Sequence, residues 1–448
     1  MQDIIALHKR YGPVVRISPS EVSIIDQAVI RRVYGFNTGY QKTSWYDTWR
    51  YAGSTESVFA TRNHQDHQFL KKRVFKIYSM SSILSMEHLI DEVVDLSLQQ
   101  LHCHVMDNRP VRLDRWTMFF AYEVVSNLAL GHLKGFLERG EDVNNIIDSN
   151  HTGFWLNANV GYLPGQSRWF SNYYFLWVMT KLGSNFSAIS DWIDGAVANG
   201  RRGHSSISRG PDLLQHFLNM SDGDGKPVSD EEVASEIGNV LGAGADTTGI
   251  LIMATIKYLI ENQSDYCRLQ REVDAEHRRL QLSAGQEIRY TDLAKLPFLF
   301  AVVQESLRLH PSIVYQLPRE SLKSGTTIRD QLIPPGVSIS VSAAAVNRSV
   351  DVFGSDADAW TPQRWMEQNA GGGGDSSFTL ESSLMTFGRG SRGCIGKNLA
   401  LVEAYKYTAS FVRNFDASFI DPKKNGTVIS YWFAKIEGVD VALTSRLA

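Results

Sequence analysis

Starting at Ser229, the chain carries a helix signal long enough to dictate how everything else must be arranged. Ser229 and Glu232 have the spacing of a capping box, and Asp230 and Glu231 put negative charge where the helix dipole is positive. Helical periodicity then continues to about Glu261, some eight or nine turns at ~3.6 residues each. A helix of that length spans a globular molecule, so the rest of the chain has to pack around it. With 448 residues, 43% hydrophobic and 21% charged, the chain has the means to do so and is not disordered.

The remainder reads as mainly α with a small β-rich portion. A short helix to Arg10 and a turn at Tyr11-Gly12-Pro13 lead into alternating Val14–Ser18 and Val22–Ile25, a hairpin pattern. Helical periodicity dominates from Gln65 to Lys257, with breaks at Gly161–Gly165 and Ser221–Gly225. Gln331 to Val346 and Val428 to Phe433 read as short strands. The only low-complexity stretch, Gly371 to Gly374 followed by Asp375-Ser376-Ser377, reads as a surface loop, so residues 1–448 are expected to form one domain.

A formal charge of −3 and the lack of a long basic block interleaved with aromatics argue against nucleic acid as a partner. Cys103, Cys267 and Cys394 are few, odd in number and far apart, which points away from a disulfide framework and towards a reducing compartment. The longest apolar stretch, around Gly249 to Tyr258, stops at Lys257 and reads as too short to cross a bilayer. His102-Cys103-His104 and the pair His64 and His67 lack the further ligands of a zinc site.

The chemistry concentrates in Phe387-Gly388-Arg389-Gly390-Ser391-Arg392-Gly393-Cys394-Ile395-Gly396-Lys397-Asn398. Glycines around one cysteine let the backbone pass close to a flat cofactor and aim N–H groups at the sulfur, while Arg392 offers a cation to an anionic group. Hydrogen bonds and positive charge of this kind favour a thiolate. Phe387, Gly390, Arg392, Cys394 and Gly396 fall on the haem-binding loop pattern of the cytochrome P450 family, which the chain resembles from Tyr11-Gly12-Pro13 to Tyr431-Trp432-Phe433. The resemblance implies the P450 fold, with haem b held between the long central helix and the cysteine loop and Cys394 as the iron ligand.

It assigns further roles. Glu305 and Arg308, three apart and so on one helix face, resemble the family's Glu-x-x-Arg, and Arg364 in Pro362-Gln363-Arg364-Trp365 completes a structural triad; taken alone, the pair reads as a surface bridge. Gln363 departs from the usual acid. Ala243, Gly244, Asp246 and Thr247 match the oxygen-activation segment of the long helix, where a glycine and a back-bonding threonine are expected to kink it. Close packing at a small-residue patch is the competing account of Gly244. His67, Lys71 and Arg319 match contacts to the haem propionates, with lysine in place of a bidentate arginine. Ala343–Arg348 lacks the tryptophan and histidine usual there. Such proteins also normally begin with a membrane helix and a Pro-rich hinge before the position of Tyr11, so either this chain is truncated or its gene incomplete, or the protein is a soluble variant. With an anchor it would sit on the cytosolic face of the endoplasmic reticulum membrane; as given, the chain is expected to be soluble.

In texture the chain is similar to filamentous-fungal P450s near pisatin demethylase and the averantin- and benzoate-hydroxylating types. The resemblance implies a monooxygenase that inserts one atom of O2 into an apolar substrate of secondary metabolism. Asp246 and Thr247 would relay protons, and electrons would come from NADPH through cytochrome P450 reductase, with cytochrome b5 as a further donor. Substrate walls are expected from the loop Trp45 to Phe59, including Trp49 and Phe59, from Phe154 to Pro164, from Asn239 on the long helix, and from Ile313, Val314, Tyr315 and Trp432, though each aromatic is individually a plausible core residue. Lys71, Lys72, Arg73, Lys76 and Lys397 are expected to form a docking face for the reductase. Two alternatives remain: an isomerase or dehydratase of the same fold that needs no O2, and a haem-binding protein without turnover.

Overall fold

The computed structural model describes residues 1–49, 56–163, 165–166, 172, 174, 177–178, 186–202, 212–222, 224–283, 285–370 and 379–446. The Gly371–Gly374 run, Pro164, Gly223 and residues 50–55 of the expected aromatic wall lie outside these. The helices that position the site are α1 (Gln2–Tyr11), α2 (His64–Phe75), α3 (Glu87–Met106), α4 (Leu113–Ala129), α5 (Ile146–Val160), α6 (Asp230–Glu261), α7 (Pro297–Leu309) and α8 (Lys397–Asn414).

Helix α6 is the long helix read from the sequence. Ser229 Oγ accepts the Glu232 N–H at 3.3 Å, and the Glu232 carboxylate accepts the Ser229 N–H at 3.1 Å, so the capping box is closed. At ~1.5 Å per residue, α6 is about 48 Å long. It packs most extensively against α4, and also on α7 and α8. Three glycines set how closely neighbours approach. A Cβ at Gly249 would stand 2.5 Å from Met118 Sδ, one at Gly242 3.0 Å from Phe154, and one at Gly244 3.3 Å from Val125. Among the described residues α6 is the one helix long and apolar enough to cross a bilayer, but 72% of its most apolar window is buried in protein. The expectation that the apolar stretch is too short for this is corrected to that extent: the apolar window extends beyond Gly249–Tyr258 within the helix, and Lys257 near its end pairs with Glu261 at 2.6 Å.

The β portion forms small sheets at the periphery. In one, β1 (Val14–Ser18) and β2 (Glu21–Ile24) form the expected hairpin. The first sheet is completed by two later strands. β4 (Arg319–Glu320) pairs antiparallel with β7 (Ser338–Ser340), and β7 pairs parallel with β2, Val22 opposite Ile339. In the second, β3 (Val111–Arg112) and β8 (Phe415–Phe419) flank β10 (Ala434–Ser445), which also pairs with β9 (Asn425–Ser430). A hairpin of β5 (Thr326–Ile328) and β6 (Gln331–Ile333) stands apart. Two expectations are corrected here. Ala343–Val346 closes a helical turn instead of extending a strand, and Tyr431–Phe433 is where the chain reverses between β9 and β10. That reversal places Phe433 beside Ile313, joining two segments 120 residues apart.

Candidate active site

The cysteine loop is built on backbone geometry. Gly388 and Gly390 have φ of +65° and +64°, and a Cβ on Gly390 would stand 2.2 Å from the Tyr34 carbonyl oxygen. The Cys394 N–H donates to the Phe387 carbonyl at 2.7 Å, which folds the loop back on itself just before α8 begins after Gly396. The Cys394 sulfur accepts the N–H groups of Gly396 and Lys397, the first two residues at that helix start. Burial pushes the thiol above its ordinary value; these two N–H groups, with Lys71 and Lys397, pull in the opposite direction. Yet Cys394 is accessible. Burial and access together place the sulfur in a recess, enclosed by protein and facing an opening.

The middle of α6 has a matching feature. Leu241, Gly242, Ala245, Asp246 and Thr248 are buried, while Ala243 is exposed and Asn239, Gly244 and Thr247 are half-open. Asn239, Ala243 and Thr247 are four apart and so form one accessible stripe beside the buried Val240, Leu241, Gly242, Ala245, Asp246 and Thr248. Thr247 Oγ1 donates to the Ala243 carbonyl at 2.7 Å, the expected back-bond, but α6 runs unbroken through the segment, so the anticipated kink does not interrupt it. Gly244 is accounted for by its contact with Val125.

Asp246 turns elsewhere. Its fully buried carboxylate accepts from Tyr122 Oη at 2.8 Å and from Asn150 Nδ2 at 2.6 Å, and it contacts His151 Nε2, whose ring in turn meets Lys435 Nζ. Burial alone would raise its pKa, but His151, Lys435 and the Tyr122 hydroxyl outweigh it and hold the group below the usual carboxylate value. Asp246 and Thr247 are adjacent in sequence but face different partners.

A cluster of cations lies beside the cysteine recess. His67 is buried on α2; burial, then Arg392, Lys42 and Lys71, push its pKa down to about 3. Lys71 donates to the Ser391 carbonyl at 2.8 Å, Arg392 to those of Thr61, Arg62 and Asn63, and Arg319 to Tyr46 Oη at 2.9 Å. Lys42 is buried over the Tyr46 and Phe59 rings and held well below its usual value by burial, Arg319 and Arg392. Among the described residues none of Lys42, Lys71, Arg319 and Arg392 has a carboxylate partner. Several basic groups converging without an acid fit a dianionic ligand. A cysteine sulfur fed by helix N–H groups, an open stripe on a long helix and an acid-free basic cradle together fit a haem with its two propionates. Lys42 was not legible from the sequence, because it lies in no motif and reaches His67 only through the fold.

Behind the cysteine loop the triad is assembled and buried. Arg308 grips Glu305 through two bonds of 2.7 Å, with both side chains at 0% exposure, and Arg364 reaches Glu305 at 3.3 Å. Glu305 also accepts from the Thr361 N–H at 2.8 Å and from Trp365 Nε1 at 2.9 Å. Arg308 donates to the Asn347 carbonyl at 3.1 Å, and the Asn347 side chain accepts the Met385 N–H at 2.9 Å, which ties the triad to the segment entering the cysteine loop. The surface-bridge reading of this pair is thereby excluded.

Of the expected substrate walls, Trp49, Phe59, Ile313, Tyr315 and Trp432 gather in one aromatic cluster that touches Ile250 of α6, with Trp49 and Trp432 ring centroids 4.4 Å apart. Val314 does not belong to it. It packs with Ile5, Ala344 and Ala434. The basic docking face is also reduced: Arg73 is 6% exposed and paired with Glu232 and Glu236, Lys397 is paired with Glu381, and Lys71 is turned to the cysteine loop. Lys72 and Lys76 remain exposed.

Comparison with known proteins agrees with this geometry. The Cytochrome P450 family profile matches residues 1–430. The chain is 32% identical to the cytochrome P450 monooxygenase gsfF of Penicillium aethiopicum over 98% of its own length and 87% of that protein's, and 32% identical to cytochrome P450 monooxygenase cicH of Emericella nidulans over 98% and 88%. Among solved structures, the cytochrome P450DA heme domain superposes with a TM-score of 0.81 at 17% identity, covering 99% of this chain and 92% of that one. The chain belongs to the cytochrome P450 family, the haem-thiolate monooxygenases.

Proposed function

We propose that this enzyme takes electrons from NADPH through a cytochrome P450 reductase and inserts one oxygen atom from O2 into an apolar intermediate of fungal secondary metabolism. The observation that carries the reading is the accessible stripe of Asn239, Ala243 and Thr247 among buried residues in the middle of α6, near an aromatic cluster that touches Ile250 of the same helix and can surround an apolar molecule. Haem, held by Cys394 and by the cradle of Lys42, His67, Lys71, Arg319 and Arg392, supplies the oxygen chemistry. The chain's own residues do the rest. Gly396 and Lys397 aim N–H groups at the sulfur, the aromatic cluster excludes water, and Thr247 holds a hydroxyl on the open stripe. Asp246 is the acid that supplies protons to it.

The oxygen-independent isomerase would have no use for a buried acid beside an accessible threonine on the long helix. The test is reconstitution with NADPH, reductase and candidate terpenoid, polyketide and alkaloid substrates, and with cytochrome b5 added or omitted. The reading predicts product that tracks O2 and NADPH consumption. Product formed at the same rate without O2 would establish the isomerase.

A further inference from the structure

We propose that a phosphate-type dianion, free or as a headgroup, binds in a cavity bounded by Arg319 and Arg392 outside the haem cradle, and that its presence makes the haem iron harder to reduce. The proposal rests on the cradle described above, which shares those two arginines.

Four observations carry it. A cavity of about 290 Å³ is lined by Arg62, His64, Arg319, Arg389 and Arg392, and none of the described residues that line it is acidic. Lys42, His67, Lys71 and Cys394 do not line it, so it is a space of its own, set off from the cradle by the arginines common to both. Arg62 is held by Asp47 at 3.1 Å and Glu320 at 2.8 Å, neither of which reaches the cavity. Arg389 has no acid partner among the described residues, and its Nη1 is buried without an acceptor. Cations are also crowded here. Burial, with Arg319 beside Arg392 and Arg31 beside Arg389, lowers the pKa of both guanidiniums, that of Arg392 to about 10. Like charges gathered in a partly buried space are what a bound anion relieves. Finally, α2 begins at His64, so the positive end of a twelve-residue helix opens on the cavity.

Size and geometry select the ligand. Pockets for drug-sized molecules run from ~300 to ~1,000 Å³, so this one takes a small ion or a single headgroup and not a whole nucleotide. Guanidiniums bind phosphate through paired N–H donors, a geometry that chloride cannot use. The wall itself is fixed: Arg392 donates to the carbonyls of Thr61, Arg62 and Asn63, and Arg319 to Tyr46 Oη. Occupancy therefore acts through charge and not through rearrangement. An anion in the cavity offsets part of the positive charge that Arg319 and Arg392 offer to a bound haem, and adding an electron to the iron becomes less favourable.

The test uses the haem-loaded protein at slightly alkaline pH and constant ionic strength, with inorganic phosphate replacing chloride. Ferric haem is paramagnetic, so phosphate bound beside the cradle should show a saturable acceleration of its phosphorus NMR relaxation that is lost in the diamagnetic ferrous–CO form. Arg389→Gln should weaken this binding about tenfold or more, while haem content and the CO spectrum stay as in the wild type. In a redox titration against a dye, saturating phosphate should shift the ferric-to-ferrous ratio about threefold towards ferric iron in the wild type, and at the same concentration much less in Arg389→Gln. Phosphatidylcholine vesicles carrying phosphatidic acid separate the two sources: displacement of bound phosphate identifies a headgroup as the occupant, and no displacement identifies the free ion. Relaxation that does not saturate, or binding and a redox shift unaltered by Arg389→Gln, would overturn the site and leave the cradle intact. A wild type that takes up no haem would instead count against the cradle. Should Arg389→Gln fail to load haem, Arg389→Lys keeps the charge without the paired donors and should bind phosphate several-fold more weakly; wild-type affinity in that variant would overturn the site.

Discussion

At the scale of single residues, the site separates groups that act through their own atoms from groups that hold others in place. Thr247 is of the first kind. Its hydroxyl is on the accessible stripe and spends its only hydrogen on the Ala243 carbonyl, a bond it can exchange for one to a guest in the opening. Thr247→Ala should therefore keep haem content and substrate binding while diverting reducing equivalents to hydrogen peroxide, so that product per NADPH falls several-fold, about 1 kcal/mol in the partition between the two outcomes. Assay of peroxide against product checks this, and unchanged coupling would show that the hydroxyl is dispensable. Residues of this kind were legible in the sequence because Ala243–Thr248 and Phe387–Asn398 are contiguous. Lys42, His151 and Lys435 were not, since nothing in their own neighbourhoods marks them and the site groups they meet are brought to them only by the fold. The same limit explains Asp246: its place beside Thr247 suggested a shared direction, but consecutive residues on a helix point about 100° apart.

At the scale of elements, α7 is stitched to the cysteine loop by buried polar groups. Glu305 accepts four hydrogen-bonding partners and Arg308 donates to three backbone carbonyls besides Glu305, so removing either strands the other without water. Glu305→Ala or Arg308→Ala should cost about 3–5 kcal/mol and leave little folded, haem-loaded protein. Wild-type yield and melting temperature would contradict the assignment. At the end of the same helix, buried His310 donates to the Ala434 carbonyl at 2.6 Å, and burial pushes its pKa down to about 4. Because the folded state binds this proton more weakly than the unfolded chain does, the stability that His310 contributes is complete above the ordinary histidine value near 6.5. It is lost as pH falls from there towards 4, by up to about 3 kcal/mol. Thermal unfolding between about pH 7 and about pH 5 should show a steeper decline in the wild type than in His310→Gln, which keeps the donor without the titration. Parallel declines would mean that other groups dominate. The Glu-x-x-Arg pair was readable as a motif, but its burial was not, and the twelve residues of β10 escaped notice because Gly438, at φ +79°, interrupts their alternation.

For the whole molecule, α6 organises the arrangement: α4 lies closely on it through Gly244 and Gly249, α5 through Gly242, and the helix that follows the cysteine packs on it. The mainly helical body and its long core helix were readable from the Ser229 capping box and the periodicity that follows. The sheet connections were not, as β2 and β7 are separated by more than 300 residues. The exposed basic surface is smaller than the sequence suggested, Lys72 and Lys76 being what remains of it, so a reductase held there should show only a shallow fall in electron-transfer rate as salt is raised. The central claim concerns the sulfur of Cys394 and is tested most directly by the ferrous–CO difference spectrum of the purified holoprotein. A thiolate-ligated haem is predicted to give the red-shifted absorbance band in the wild type, and Cys394→Ser to lose that band even where haem is retained. A wild type without it, or a Cys394→Ser variant that keeps it, would contradict the account.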